Sequence, residues 1–180
     1  DRISPEAPVP VVSLDKKEYR IGGAGNVALN CQSLGAQVSI LSVTGSDTEG
    51  VILEELFTSS NIDSSYLVKS NNRITTNKTR IISRNQQMMR LDAEIIHDLD
   101  KNEETDLLKK IKDYISSEDT DVINFEDYNK GVLTEKIIQE TIALCKEAGV
   151  ITAVDPKRKN FFSFKQADIF KPNLKEVKES

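Results

Sequence analysis

Three clusters of polar residues follow three apolar runs in this chain. Glu126-Asp127 comes after Asp121–Phe125, Asp155-Pro156-Lys157 after Val150–Val154, and Asn173-x-x-Glu176 after Ala167–Phe170. Carboxylates can hold a hydrated divalent cation and a lysine can hold phosphate, so this set suits a metal–nucleotide complex. A second set is cationic: Lys78, Arg80, Arg84, Gln87 and Arg90 crowd a short stretch, and arginine offers phosphate a planar two-pronged fork. A third set opens at Ile21. Gly22, Gly23 and Gly25 lack Cβ atoms, so their backbone can approach a ligand. Their N–H groups precede a helix, and Asn26 adds a donor and an acceptor, which suits a polyol such as a sugar. The spacing is neither GxGxxG nor a Walker loop. Each set also has a plain structural reading: a βα turn, a charged sheet edge, a tight turn.

The elements that would position these groups follow from periodicity. Ala24, Val27, Ala28, Cys31 and Leu34 form one helical stripe, closed by Gly35. Three prolines in residues 3–14 suggest an extended segment leading into an edge strand, and Tyr19–Ile21 reads as a short strand. Gln37–Val43 reads as a buried strand. Asp47 caps a helix running to about Thr58, with Ile52, Leu53, Leu56 and Phe57 inward. Ser65–Val68 is a further short strand. Thr75–Ile82 and Met88–Asp92 read as a hairpin, with Lys78, Arg80 and Ile82 on one side and Thr79 and Ile81 on the other. Asp100 and Glu103 predict a capping box on a helix to Ser117. A helix at Leu133–Ala148 closed by Gly149, and the start of another after Asn173, complete an α/β alternation with parallel strands. In such a sheet, ligands bind at the carboxyl ends of the strands, where the three polar clusters fall.

Composition narrows the classes. The 180 residues are 38% hydrophobic and 29% charged, as in ordinary globular chains. A net charge of −5 with interspersed Lys and Arg argues against a nucleic-acid partner. No apolar run approaches a membrane span, and no signal peptide opens the chain. Cys31 and Cys145 read as buried free thiols in a reducing compartment, the cytoplasm. His97, the single histidine, reads as a solvated loop residue, and a zinc site has almost no ligands to draw on.

Gly22-Gly-Ala-Gly-Asn-Val-Ala28 with Leu34-Gly-Ala36 resembles the first signature of the ribokinase-like (PfkB-type) carbohydrate kinases, and Asn173-x-x-Glu176 resembles their NxxE motif. Arg2-Ile-Ser-Pro-Glu-Ala-Pro-Val-Pro-Val11, Ser83-Arg-Asn-Gln-Gln87 with Arg90-Leu-Asp92, Asp127-Tyr-x-Lys-Gly131 and Asp155-Pro-Lys157 resemble one branch, the heptose-7-phosphate kinases, free-standing or within bifunctional ADP-heptose synthases. The resemblance implies a three-layer α/β sandwich with a mostly parallel central sheet and a small β lid, incomplete in this chain. It places lid segments at about residues 8–21 and 75–92. It implies ATP and Mg²⁺, transfer of phosphate to the anomeric hydroxyl of a heptose 7-phosphate, and a homodimer clasped through the lid. Carried over by position, Gly22, Gly23 and Asn26 would hold sugar hydroxyls, and Lys78, Arg80, Arg84, Gln87 and Arg90 the sugar side of the lid. Asp127 and Lys130 would lie near the sugar or the transferred phosphate. Lys157, Asn173 and Glu176 would face the nucleotide, with Asn173 and Glu176 reaching its metal through water.

Two departures from the family pattern accompany the resemblance. Most of the family's first strand has no counterpart, with Asp1 as its last remnant, and no Gly-x-Gly-Asp follows residue 131. That second signature carries the catalytic base and oxyanion hole, so no catalytic residue is assigned and the chain by itself is expected to turn over little. Two other readings stay open: a kinase of this fold for a ribose or fructose derivative, and a non-catalytic dimerisation or sugar-binding unit.

Overall fold

The computed structural model describes residues 2–8, 10–11, 13–83 and 85–179. Arg84, assigned above to the lid, and Asp1 lie outside the described residues. The chain opens with β1 (Arg2–Ile3) antiparallel to β2 (Pro10–Val11). No strand forms at Tyr19–Ile21, contrary to expectation. Charges there pair locally instead, Lys16 and Arg20 with Glu18, and Lys17 lies over the Tyr19 ring. Among the described residues of the segment expected to join the lid, only Pro10–Val11 is strand, and it pairs with β1.

Helix α1 (Ala24–Ser33) follows. Its stripe ends at the half-buried Cys31, since Leu34 is 89% exposed at the C-cap, and Gly35 closes the turn in the left-handed region. Strand β3 is Val43–Gly45, shorter and later than the predicted 37–43. Residues 38–40 still pair, through Ile40 N–H to Asp63 O and Asp63 N–H to Val38 O. Asp63 then turns the opposite chain by accepting from Ser65 N–H, which interrupts the ladder until β4 (Val68–Ser70), not Ser65–Val68, resumes it.

Helix α2 (Thr48–Ser59) is capped by Asp47 as expected. Helix α3 (Lys101–Ser117) carries the Asp100–Glu103 capping box, and α4 (Glu135–Ala148) is capped by Thr134 and closed by Gly149. Strands β7 (Val122–Glu126), β8 (Ile151–Asp155) and β9 (Ile169–Phe170) run parallel in that order, and α5 (Leu174–Glu179) follows. β9 is shorter than expected because Asp168 binds Thr152 through its carboxylate instead of joining the ladder.

Alternation along the first sheet sorts two cores. Val38, Ile40 and Leu67 pack with Ala28 of α1 and Phe57 of α2. Leu41, Val43 and Val68 face the other way, onto Leu107 and Ile111 of α3 and Ile137 of α4. Helices thus cover both faces, the three-layer plan. A third cluster packs Phe125 and Val154 of the second sheet on Ile138 and Ile142 of α4. Among the described residues, β3 pairs only with β4, and β7 only with β8. Residues 38–44 and 121–126 line one cleft of about 2710 Å³, with Leu107, Ile111 and Thr141 also on its wall. This explains why Ile52, Leu53 and Leu56 are half-buried while Phe57 is fully buried.

The hairpin, β5 (Asn77–Ser83) and β6 (Gln86–Ala93), stands apart as its own antiparallel pair. A bulge sets Ile81 opposite Met89 and Ile82 opposite Gln87, leaving Met88 without a counterpart. Among the described residues no helix is long and apolar enough to cross a membrane.

Candidate functional site

The glycine loop, the hairpin and the β7 and β8 carboxyl ends all open onto that one cleft. The three glycines of the loop divide. A Cβ on Gly22 or Gly23 would meet nothing within 4 Å, whereas one on Gly25 would lie 2.6 Å from Ile21 and 3.0 Å from Phe57. Gly25 is therefore a packing residue, whereas Gly22 and Gly23 leave open space beside their backbone. Gly23 has φ +56, a conformation few side chains tolerate, and no side chain caps the helix it opens. The first-turn N–H groups of α1 lack acidic neighbours, and Asn26 is exposed beside them.

On the hairpin, cross-strand register puts Lys78 opposite Asp92 and Arg80 opposite Arg90. Lys78 Nζ donates to Asp92 and to Glu94, both at 2.9 Å, and Arg90 Nε lies 2.9 Å from Asp92. The Glu94 carboxylate reaches Lys130 Nζ at 2.8 Å. Lys130, then Lys78, hold the Glu94 carboxyl below its ordinary range, and Lys78 does the same for Asp92 with Arg90 behind it. Arg80 makes no ion pair among the described residues; its guanidinium donates only to the Lys78 carbonyl at 3.3 Å. Of the expected lid cations among the described residues, it is the one with no carboxylate partner. Gln87 is exposed beside the turn, where Asn85 takes a left-handed conformation.

Asp127 is 2% exposed. Its carboxylate accepts from Asn129 N–H at 2.8 Å and from Asn160 Nδ2 at 3.0 Å. It braces the loop after β7, so Lys130 is the side chain of that loop turned toward the hairpin.

At the sheet's edge the NxxE residues form a reciprocal cap. Glu176 N–H donates to Asn173 Oδ1 at 2.9 Å, and Asn173 N–H donates to Glu176 Oε2 at 2.7 Å. The other Glu176 oxygen accepts from Lys157, which holds that carboxyl below its ordinary range with Asn173 N–H assisting. Burial opposes ionisation of Lys157, but Glu176 and Asp155 carry its pKa upward. Asn173 and Lys157 are thus linked through Glu176. Glu126 and Asp155 stand opposite each other on β7 and β8. Burial, reinforced by Asp155 and opposed by Asn124, pushes the Glu126 carboxyl above its ordinary range. A cation between these two carboxylates would relieve that cost. The described residues hold no group of three His, Cys, Asp or Glu able to grip a metal alone. Lys171 lies 3.4 Å from Asp155 and adds a cationic side chain to this edge. Cys145 is buried, which pushes its thiol up to about 11, and both cysteines are free.

The family model of the pfkB family carbohydrate kinases matches residues 2–180. The chain belongs to the pfkB family. This pfkB chain is 40% identical over 179 residues to the bifunctional protein HldE of Geobacter sulfurreducens, covering 98% of the chain and 36% of that protein. It is 41% identical over 186 residues to the HldE of Aliarcobacter butzleri, covering all of the chain and 37% of that protein. The chain thus spans a little over a third of the length of these curated relatives. Its fold is similar to tetrameric inhibited phosphofructokinase-2 of Escherichia coli, with TM-score 0.72, 16% identity, and coverage of 96% of this chain and 56% of that one. A putative phosphofructokinase of Staphylococcus aureus gives TM-score 0.70 at 18% identity, over 93% and 55% of the two chains. The ribokinase-like α/β plan expected from the pfkB signatures stands.

Sequence reasoning missed Arg73, Thr75, Glu94 and Asn160, which hold the site's loops together. Only Glu94 carried a signal, lying two residues beyond Asp92 along the hairpin's exit.

Proposed function

We propose that the protein is an ATP-dependent sugar kinase that phosphorylates the anomeric hydroxyl of a heptose 7-phosphate, giving the 1,7-bisphosphate on the route to ADP-heptose for the lipopolysaccharide inner core. One observation supports it most: the open Gly22–Gly23 loop and the hairpin's Arg80 line the same cleft as the polar edge of β7 and β8. In this reading, Gly22, Gly23 and Asn26 orient the sugar hydroxyls. Arg80 and Lys130 meet the 7-phosphate, joined by Lys78 and Arg90 once phosphate competes for their carboxylate partners, with Arg84 and Gln87 on the same lid. Asp127 keeps the intervening loop in place. Lys157, held by Glu176, and Lys171 face the nucleotide phosphates. Glu126 and Asp155 face its cation; Mg²⁺, when bound, neutralises charge on the phosphates. The anomeric oxygen attacks the γ-phosphorus, the bond to ADP breaks, and the hydroxyl proton passes to water. The half-buried Ile81 and the exposed Met89 and Leu91 share the other face of the hairpin and would clasp a second copy. The cytoplasm supplies such substrates and reduced thiols.

Calorimetric titration with heptose 7-phosphate, against unphosphorylated heptose, tests this. Phosphate-dependent binding is expected, weakened about tenfold or more by Arg80→Ala through loss of a charge-assisted bond, with ATP binding changed less than about twofold. Equal affinity for both sugars sinks the phosphate assignment, and tight binding of a ribose or fructose phosphate instead moves the substrate to another sugar.

A further inference from the structure

Arg73 lies between β4 and β5 and is 7% exposed. Among the described residues it has no carboxylate within ion-pair distance. Its guanidinium instead spans two backbone carbonyls, donating through one nitrogen to His97 O at 3.1 Å and through the other to Lys130 O at 2.7 Å. His97 follows the hairpin, Arg73 precedes it, and Lys130 belongs to the loop after β7. One side chain therefore ties both feet of the hairpin to the loop that carries Asp127 and Lys130.

The surroundings make this seam rigid. Gly131 has φ +77, and a Cβ there would sit 1.9 Å from His97 O, so the two backbones touch. Leu99 N–H donates to Gly131 O at 3.0 Å. On the entry side, Thr75 N–H donates to Asp47 Oδ2 at 2.7 Å, and Thr75 Oγ1 accepts from Gly45 N–H at 2.9 Å. The hairpin's own ion pairs through Glu94 are by contrast partly solvated, and exposed pairs hold geometry weakly.

We propose that Arg73 is a positioning residue that sets the hairpin over the cleft, by joining both of its feet and the 127–131 loop into one unit. Arginine suits this because its fork is planar and fixed, so two carbonyls on different segments are held at a set separation. A lysine would keep the charge but not the span. The coupling stands on geometry alone; its consequence for turnover rests on the sugar-kinase reading.

The test uses the full-length protein, with Arg73→Lys and Arg73→Met. Hydrogen exchange is followed in residues 77–93, 127–131 and, as a reference, in α3 and α4. Exchange in the hairpin and in the 127–131 loop is expected to rise together by about tenfold or more in both variants, while α3 and α4 stay protected. The KM for sugar phosphate rises by about tenfold, and that for ATP changes less than about twofold. If Arg73→Met does not fold, Arg73→Lys decides. Exchange at the wild-type rate in Arg73→Lys overturns the proposal, because charge alone then suffices. Loosening of the hairpin without the 127–131 loop overturns it too. A wild-type protein that phosphorylates no sugar would sink the kinase reading while leaving the exchange result to decide the coupling.

Discussion

At the scale of single residues, side chains that look alike in the sequence do different work. Gly22 and Gly25 belong to one motif, yet one is open and the other packs on Phe57. Glu126 and Glu176 both belong to the polar clusters that follow the apolar runs, yet Lys157 and Asn173 N–H lower the Glu176 carboxyl, whereas burial and then Asp155 raise that of Glu126. The sign of the second effect makes a prediction. A carboxyl raised in the folded state favours folding most below its unfolded value, near 4.3, and loses that contribution as pH rises through its folded value. Ionised Glu126 therefore costs stability at neutral pH. Glu126→Gln should raise the thermal midpoint at pH 7 and change it much less at pH 4. Thermal melts at the two pH values check this; an equal shift at both would assign the effect to packing instead.

At the scale of elements, the local signals were strong where the residues satisfy their own backbone. The box at Asp100 is formed in full, with Asp100 accepting from Asn102 and Glu103 N–H and Glu103 accepting from Asp100 N–H. Such a cap is worth about 1 kcal/mol, so Asp100→Ala should lower unfolding free energy by about that amount in urea titration. The hairpin was equally legible, because alternation and the turn lie within one short stretch. The bulge at Ile81/Ile82 was not, and it breaks the predicted alternation at Ile82. The short strands near residues 40 and 66 shifted because a side-chain turn at Asp63 competed with the ladder for the same backbone groups.

At the scale of the whole molecule, the layers are set by which helix covers which face. Val38 and Ile40 look to α1 and α2, Leu41 and Val43 to α3 and α4. Two strand edges then face one cleft without partners among the described residues, and such edges template pairing with another chain. The 180-residue chain studied alone should self-associate with rising concentration. Sedimentation velocity over about a tenfold concentration range checks this by mass action, and a single monomeric species throughout would count against it.

The sequence by itself determined the helices, the hairpin, the α/β alternation and the family, because these rest on periodicity, caps and motif residues close together in the chain. It also put polar groups at the ends of β7, β8 and β9. Tertiary structure alone decided which of them remain available. Asp127 is consumed by Asn129 and Asn160, Glu176 by Asn173 and Lys157, and Lys78 by Asp92 and Glu94, whereas Arg80 keeps its fork. Several of those partners lie 14 to 33 residues away, as Asp92 does from Lys78 and Asn160 from Asp127. Hydrogen-bonding capacity is spent on whatever the fold brings near, and no local pattern records that.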